Sequence, residues 1–240
     1  MRVPPGVHRA RLGGGAVAVL VVRSGTWQWM NEATERIWSA ALSGTVDELA
    51  ERMRADGFPG DVEAIITRVV EQLKQAGLLT ASGRGARTLP PAMPAVTAVA
   101  APCVRPGRVV RALARVGLVL ALGVMRLPMR ARMRLLNCLR VLPPAPPAVA
   151  ASVAAAVPLV RPSWWPGRIA CLEVSLATVL AIALCGRRAH WVLGARRMPN
   201  EAHAWVWTPT GAYGLSGRDT DDPRRPWAGV AAAPPIDPYE

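Results

Sequence analysis

Two short stretches, Cys171-Leu-Glu-Val-Ser-Leu-Ala177 and Glu201-Ala-His-Ala-Trp-Val206, decide the fold of the second half of the chain. The first opens an apolar run whose large side chains recur at helical spacing until Gly186, which predicts a helix that begins close to Cys171. The second predicts a β-strand that contains His203. A cysteine at a helix start and a histidine on a neighbouring strand are the pair that thiol enzymes use. The sequence therefore indicates a cysteine-dependent active site.

The start of a helix favours a thiolate, because unpaired backbone amides and the helix dipole attract negative charge there. This effect is worth about 1 kcal/mol, and one pKa unit corresponds to about 1.4 kcal/mol. The helix alone thus lowers the thiol pKa from about 8.5 by no more than about one unit. A thiolate that dominates at neutral pH needs a cationic partner, and His203 is the candidate.

Antiparallel strands are expected after the helix. Residues 191–197 and 202–207 are β-prone and flank a turn at Met198-Pro-Asn-Glu201, and Gly211 marks a second turn before a short return strand. A helix that carries the nucleophile would then pack on a sheet that carries the base. This pattern predicts an α+β domain.

These residues resemble a known family. Cys171-Leu-Glu-Val-Ser-Leu-Ala177, a helix that ends in Gly186-Arg-Arg, Trp191-Val-Leu-Gly194 and His203-Ala-Trp-Val206 together resemble the transglutaminase-like leader peptidase of lasso peptide biosynthesis. The resemblance is close from residue 164 to residue 217 and looser back to Arg105. It implies a transglutaminase-like, papain-like α+β fold and a cysteine endopeptidase of the Cys-His-Asp type.

The resemblance implies a role for each site residue. Cys171 would be the nucleophile, and His203 would deprotonate it and later protonate the leaving amine. The family's acid is expected a short distance after the histidine, where this chain reads Tyr213-Gly-Leu-Ser-Gly-Arg-Asp219. Asp219 is the nearest acid and lies a few residues late, so either the preceding turn is longer here or Ser216 takes its place.

The first part of the chain is a different module. Strands are predicted at residues 17–22 and 26–30, with a third around residues 8–12, and three helical stretches follow from the caps Asn31 and Thr45 and from Gly60-Asp61. This order is that of a small winged-helix-like domain. The stretch from Trp27 to Trp38 resembles the peptide-recognition element of ribosomally made, modified peptides, which is similar in fold to the pyrroloquinoline-quinone-pathway peptide chaperone.

An edge strand can bind an extended peptide as one more strand of its sheet. The resemblance implies that the leader of a precursor peptide lies along the strand made of Thr26, Trp27, Gln28, Trp29 and Met30. Because strand residues alternate between faces, Trp27 and Trp29 share one face. We expect both indoles in the core and Thr26 and Gln28 directed outward. For Trp27, Trp29 and Trp38, the alternative to a role in peptide binding is ordinary core packing.

Composition marks the domain boundaries. Residues 84–107 are rich in Pro, Ala, Val and Thr without periodicity and are predicted to be a linker between a leader-recognition domain at 1–83 and a protease domain at 108–240. Within the protease domain, a helical region at 108–142 is followed by a second proline-rich stretch that begins at Pro143 and continues into alanines and valines. We expect this stretch to be irregular as well.

The charge is uneven. The chain has a net charge of +13, and residues 89–170 contain eleven arginines and no acidic residue. Such a region attracts anions, whether on a peptide, a partner protein, a membrane or a nucleic acid. The apolar run at residues 116–125 is too short to span a bilayer of about 30 Å, and the run at residues 169–185 is near the lower limit and contains Glu173. No signal peptide is recognisable. We expect a cytoplasmic protein without a transmembrane span, with peripheral membrane contact through residues 108–140 left open.

Metal and cofactor chemistry have no support in the sequence. The four cysteines include no Cys-x-x-Cys pair, the three histidines are far apart, and no glycine-rich phosphate loop is present. Cys103, Cys138 and Cys185 are expected to be small buried side chains. His190 is the alternative base to His203, but it follows the arginine pair at the helix end, where a solvated residue is expected. ATP, if cleavage depends on it, would be used by a partner.

The sequence thus predicts a two-module cysteine protease. The first module would bind the leader of a lasso precursor peptide, and the second would cleave leader from core, so that an asparagine-synthetase-like lasso cyclase can use the new amine. One alternative is a transglutaminase-like acyltransferase that uses the same Cys171 and His203. The other is a non-enzymatic winged-helix protein that binds DNA or peptide through the basic region, although no nucleic acid is expected as a partner in the main interpretation.

Overall fold

The computed structural model describes residues 1–81, 85–86, 88–89, 105–160, 170–197, 199–215 and 226–236. The chain divides into two compact units, Met1–Ala92 and Met93–Glu240. Both units contain helices and antiparallel strands, so the predicted α+β class is confirmed. Most of the predicted linker, residues 84–107, lies outside the described residues.

The first unit has the predicted order of three strands and then three helices. Its elements are β1 (Val7–Arg11), β2 (Val17–Val21), β3 (Thr26–Met30), α1 (Glu32–Ser43), α2 (Val46–Ala55) and α3 (Val62–Gln75). The side chain of Asn31 accepts a hydrogen bond from the Thr34 amide and begins α1, and that of Asp61 does the same for α3. Gly44 ends α1 with φ +80°, a conformation that glycine adopts without strain.

The core of the first unit lies between the sheet and the helices. The sheet order is β1-β2-β3, and β2 places alternate valines on the helix-facing side. These valines pack with side chains from α1 and α3, all of them buried: Val17, Val19, Val21, Ile37, Trp38, Ile66, Val70 and Leu73. Every member of this core lies within residues 3–89, so the unit has a hydrophobic core of its own.

The two faces of β3 are reversed relative to our expectation. Trp27 and Trp29 lie opposite Leu20 and Ala18 of β2, on the face that points away from the helices, and their rings stack with centroids 5.9 Å apart. The Gln28 side chain instead donates to the carbonyl of Ala76, just after α3, at 3.3 Å. The sequence predicts that side chains alternate between the two faces of β3, but not which face meets the helices. The valines of β2 decide this, because they pack against the helices on the face opposite to Trp27 and Trp29.

The second unit packs a group of helices on a four-stranded antiparallel sheet of order β6-β5-β4-β7. Its elements are α4 (Arg108–Val124), α5 (Met129–Asn137), α6 (Pro147–Leu159), α7 (Cys171–Leu184), β4 (His190–Arg196), β5 (Glu201–Thr208), β6 (Gly211–Tyr213) and β7 (Ala228–Ala233), with a 3-10 turn at Cys138–Val141. Helix α7 is the central helix, since it contacts α4, α6 and β5.

The structure refines one local prediction for this unit, corrects a second and adds a strand. The helical region at 108–142 is broken into α4 and α5 at Pro128, which cannot donate a helix hydrogen bond and disfavours helix in the residue before it. The alanine-rich stretch after Pro143 forms helix α6, which begins at Pro147, a residue suited to the first helical position. Strand β7 was not anticipated, because an alanine-rich segment has low β-propensity.

Helix α4 packs closely on α7 through Gly117. A Cβ atom at this position would lie 2.7 Å from the Ala177 carbonyl oxygen and 2.9 Å from the Ala181 side chain. The two helices can therefore approach at this distance only with glycine here. Within the residues that the structure describes, no helix combines the length and the hydropathy that a bilayer crossing requires.

Candidate active site

Cys171 is the first residue of α7, as the spacing predicted. Ala170 caps the helix in an extended conformation, and the Cys171 thiol is half-buried. The Ser175 hydroxyl donates to the Cys171 carbonyl at 2.7 Å and accepts a hydrogen bond from the buried indole N–H of Trp191 on β4 at 2.9 Å. The first turn of α7 is thereby tied to the sheet, which holds the cysteine in place.

His203 lies on β5, opposite Gly194 of β4. Its Nε2 atom is 2.9 Å from the carbonyl oxygen of Gly214, which follows β6. A carbonyl oxygen only accepts hydrogen bonds, so Nε2 carries the proton and donates it. The other ring nitrogen, Nδ1, is thereby left as the atom that can take a proton from Cys171.

The thiol and the imidazole are hydrogen-bonded to each other, and each changes the pKa of the other. Burial alone would raise the pKa of Cys171, but the hydrogen bond with His203, the imidazolium charge and two backbone amides together outweigh it, so the pKa lies below its ordinary value. Burial likewise opposes the charge on His203, yet the bonds to Cys171 and to the Gly214 carbonyl raise its pKa. Both shifts favour a thiolate–imidazolium pair.

Two backbone amides also stabilise the thiolate. The N–H groups of Ala204, next to His203, and of Leu172, in the first turn of α7, hydrogen-bond the Cys171 sulfur and lower its pKa. Such amides are fixed by the strand and the helix and do not need to reorganise when negative charge develops. The site therefore combines a base with fixed donors around one sulfur atom.

Aromatic side chains surround the His203 ring. The Trp227 ring is tilted against it at 5.1 Å between centroids, and Trp205 stacks on it at 6.4 Å. The guanidinium of Arg196 lies 4.6 Å from the centre of the Trp227 ring and pairs with Glu201 at 2.5 Å. The Trp227 ring thus contacts both the Arg196 guanidinium and the His203 imidazole. Because an indole face attracts cations, this ring favours the charged form of His203.

Part of this site could be predicted from the sequence. The structure brings Cys171 and His203 together, whereas Asp219 and the alternative Ser216 lie outside the described residues. In the described part of the chain, the acceptor on Nε2 is the backbone carbonyl of Gly214. A backbone acceptor has no side-chain signature, and the same holds for the Ala204 amide, so a motif search could not find either.

The remaining cysteines and histidines are not part of the site. His190 is buried, with Nδ1 donating to the Pro234 carbonyl at 2.9 Å, so its expected solvation was wrong; burial also lowers its pKa. Cys138 is exposed rather than buried, Cys185 is half-buried with a pKa raised by burial, and Cys103 lies outside the described residues. Among the described residues, no group of three or more His, Cys, Asp or Glu side chains could hold a metal ion.

Comparison with known proteins agrees with this geometry. Residues 112–211 match the family model of the transglutaminase-like superfamily. The match begins in α4, ends at the first residue of β6 and includes both Cys171 and His203. No curated protein and no solved structure matches the chain.

Residues 112–211 of the second unit are thus similar to the transglutaminase-like superfamily, and this similarity supports activity of the cysteine-protease or acyltransferase type. Both activities begin with a thiolate that attacks a carbonyl carbon to give an acyl-enzyme. The thiolate–imidazolium pair described above has the groups that this first step needs.

Proposed function

We propose that the protein is a cysteine endopeptidase that removes the leader from a ribosomally made lasso precursor peptide. The hydrogen-bonded pair of Cys171 and His203, with the thiol pKa lowered and the imidazole pKa raised, carries this proposal. The superfamily match across both residues supports the class of chemistry. The motif resemblance described above supports the choice of a leader peptide as substrate.

The proposed reaction uses both nitrogens of His203. Nδ1 takes the thiol proton, and the Cys171 sulfur attacks the carbonyl carbon between leader and core, giving a tetrahedral intermediate. As the C–N bond breaks, Nδ1 returns the proton to the leaving amine of the core, and the leader remains as a thioester on Cys171. Water, deprotonated at Nδ1, then attacks the thioester and releases the leader acid and the free thiol.

Asp219 stays the proposed third member of the catalytic group, since the resemblance implies an acid at this place. Asp219→Ala tests it in a cleavage assay that includes Asp219→Asn. Because the Gly214 carbonyl already accepts from Nε2, we expect a loss of turnover smaller than that of His203→Ala. Turnover equal to that of the wild type in both variants would remove Asp219 from the site.

We further propose that the first unit binds the leader along β3. In the described part of the chain, β3 has β2 as its single strand neighbour, so its other edge can accept an extended peptide. The contact between Gln28 and the end of α3 lies beside this edge. The stacked and half-buried Trp27 and Trp29 offer apolar surface on the opposite face of the strand.

Leader binding is tested by fluorescence anisotropy with a labelled leader peptide. We expect Trp27→Ala to weaken binding by about tenfold, since tryptophan is enriched among binding hot spots. Phe58→Ala, which removes an aromatic side chain that is 45% exposed elsewhere in the same unit, is the control and should bind normally. Equal binding by both variants would exclude the Trp27 face from the leader site.

The proposed partners are the precursor peptide and a separate asparagine-synthetase-like cyclase that closes the ring. The cyclase needs the free amine of the core, which is the product released by His203 in the proposed reaction. Any ATP would be used by the cyclase, since the proposed hydrolysis consumes only water. We propose a cytoplasmic location, where free thiols stay reduced, and no nucleic acid partner.

Intact mass spectrometry of the precursor tests the activity. The precursor is incubated with the wild type, Cys171→Ala or Cys185→Ala, each with and without the cyclase and ATP. We expect leader and core fragments from the wild type and from Cys185→Ala, and none from Cys171→Ala. A product in which the leader is joined to an added amine would instead establish the acyltransferase activity, and absence of cleavage under every condition would contradict the proposal.

A further inference from the structure

One face of helix α4 packs against other elements of its unit. The opposite face is exposed in the described part of that unit. The packed face contacts α6 and α7 through side chains that are almost fully buried: Ala114, Leu118 and Ala121, together with Gly117. These positions are three or four residues apart, as expected for one side of a helix. These side chains hold α4 on the core of the unit, and the residues on the opposite side of the helix do not take part in this packing.

The outer face of α4 is unusually apolar for an exposed surface. Val109, Val116, Val119 and Leu120 are 73%, 48%, 69% and 43% exposed. Successive members are separated by seven, three and one residues, so they form a continuous stripe on one side of the helix. Apolar side chains grouped in this way are typical of an interaction surface rather than of scattered surface residues.

Arginines border this stripe. Arg108, Arg111 and Arg115 are all exposed, are three and four residues apart and thus form a second stripe beside the valines. No acidic residue occurs anywhere between residues 89 and 170 to balance them within this part of the sequence. The outer face of α4 is therefore both apolar and of one charge sign, which makes it complementary to a surface that is apolar beneath a layer of negative charge.

We propose that the outer face of α4, made of these three arginines with Val109, Val116, Val119 and Leu120, docks on the surface of an anionic lipid bilayer. The helix lies parallel to the bilayer, with guanidinium groups at the phosphates and the valine and leucine side chains at the boundary of the acyl chains. The single sign of the charges on this face matches an anionic lipid surface, which attracts basic amphipathic helices. The inference does not depend on the proposed peptidase activity.

The experiment is vesicle co-sedimentation of the full-length protein. Vesicles of phosphatidylcholine with roughly one third phosphatidylglycerol are compared with vesicles of phosphatidylcholine alone, at low and high salt. The test variant replaces Arg108, Arg111 and Arg115 with Gln. The matched control replaces Arg23, Arg52 and Arg68, three exposed arginines of the first unit, with Gln, and so removes the same net charge.

Binding is expected to anionic vesicles, to weaken with salt and to be much lower on neutral vesicles. At roughly fivefold per arginine, the α4 triple variant should lose on the order of a hundredfold in affinity, whereas the control triple variant should lose far less. Val119→Ser with Leu120→Ser should lower the part of the binding that survives high salt. Circular dichroism and the alkylation rate of Cys171 check that each variant is folded.

Three results would overturn the inference. The wild type could bind neutral and anionic vesicles equally, or the two triple variants could lose affinity equally, which would make the effect one of net charge alone. The wild type could also leave the anionic vesicles unbound. If the α4 triple variant then loses affinity for the purified cyclase, the outer face of α4 is the docking site of an acidic protein instead.

Discussion

The imidazole of His203 has two nitrogen atoms with different partners. Nε2 is fixed by the Gly214 carbonyl at 2.9 Å, and Cys171 is the hydrogen-bonding partner that raises the imidazole pKa most. A fixed Nε2–H keeps Nδ1 free of a proton until the thiol supplies one. In this candidate site, the orientation of the histidine, usually the task of a side chain in thiol enzymes, is supported by a backbone group.

Gly214→Ala tests this role of the backbone. Gly214 has φ +91°, and a Cβ atom there would meet no atom within 4 Å, so the cost of alanine is backbone strain rather than a clash. Relief of that strain should turn the carbonyl away from Nε2. A hydrogen bond to a charged group is worth about 1.5 to 3 kcal/mol, so we expect the alkylation rate of Cys171 at neutral pH to fall about tenfold.

Gly186→Ala is the matched control, because Gly186 also has a positive φ (+71°) and open space around a Cβ atom, but lies after the far end of α7. It should lose stability to a similar extent and keep the alkylation rate of the wild type. Equal rates in both variants would show that the Gly214 carbonyl does not hold the imidazole.

At the scale of single residues, the side chains of the site could be predicted and its backbone groups could not. Cys171 and His203 each stand in a recognisable local pattern, one at a helix start and the other within a β-prone segment. The Gly214 carbonyl and the Ala204 amide depend on how β6 returns beside β5, which no local pattern encodes.

Elements hold the site through a few specific contacts. The Ser175 hydroxyl links the carbonyl of Cys171 to the indole N–H of Trp191, and thus α7 to β4. Gly117 lets α4 approach the other side of α7. The helix that begins at Cys171 is therefore held from the sheet side and from the helix side.

Ser175→Ala should destabilise the fold and slow the chemistry together. The substitution leaves the indole N–H of Trp191 buried without an acceptor, which costs about 1 to 3 kcal/mol in the free energy of unfolding. Thr178→Val is the control, since in the described part of the chain the Thr178 hydroxyl donates to the carbonyl of Val174 within the same helix. Urea unfolding measures the free energy of unfolding of the two variants, and the alkylation rate of Cys171 measures the effect on the chemistry. An equal loss of stability in the two variants would contradict the bridging role of Ser175.

Gly117→Ala and Gly123→Ala should have opposite effects on stability. Both glycines lie within α4, where alanine is favoured over glycine by about 0.5 to 1 kcal/mol. A Cβ atom at Gly123 meets nothing within 4 Å, so this variant should gain stability, whereas one at Gly117 meets α7 and should cost about 1 to 3 kcal/mol. Thermal unfolding followed by circular dichroism measures both changes, and a gain in Gly117→Ala would contradict the close packing.

At the scale of elements, the sequence predicted best where periodicity and caps agree. Helices α1, α3 and α7 begin where a cap or an apolar period indicates, and β5 follows its β-prone residues. Helix α6 and strand β7 were missed because both are rich in alanine and valine, whose pattern has neither period. Tertiary packing, rather than local propensity, decides the conformation of such segments.

The whole molecule consists of two units with separate cores. Among the described residues, the core of the first unit lies within residues 3–89, and the candidate active site is made of residues of the second unit. The charge is divided in the same way, since the acid-free, arginine-rich stretch at 89–170 lies almost entirely in the second unit. Composition alone predicted this asymmetry, while the complementary surface on α4 required the structure.

Separate cores predict separable functions. Residues 1–92, expressed alone, should unfold cooperatively and bind the labelled leader peptide with the affinity of the full-length Cys171→Ala variant, because the core of this unit is self-contained. Thermal unfolding and fluorescence anisotropy measure the two properties. A fragment that folds but binds the leader at least tenfold more weakly would show that the second unit contributes to leader binding.

The pH dependence of Cys171 alkylation by iodoacetamide, followed by peptide mass spectrometry, tests the thiolate–imidazolium pair most directly. The lowered Cys171 pKa places the rise of the rate at a lower pH than for an ordinary thiol, and the raised His203 pKa keeps the pair intact to a higher pH. In His203→Ala the rise should move to higher pH, while Cys185, whose pKa is raised by burial, should react late in both proteins. A Cys171 profile that is the same with and without His203, or that coincides with the Cys185 profile, would contradict the proposed site.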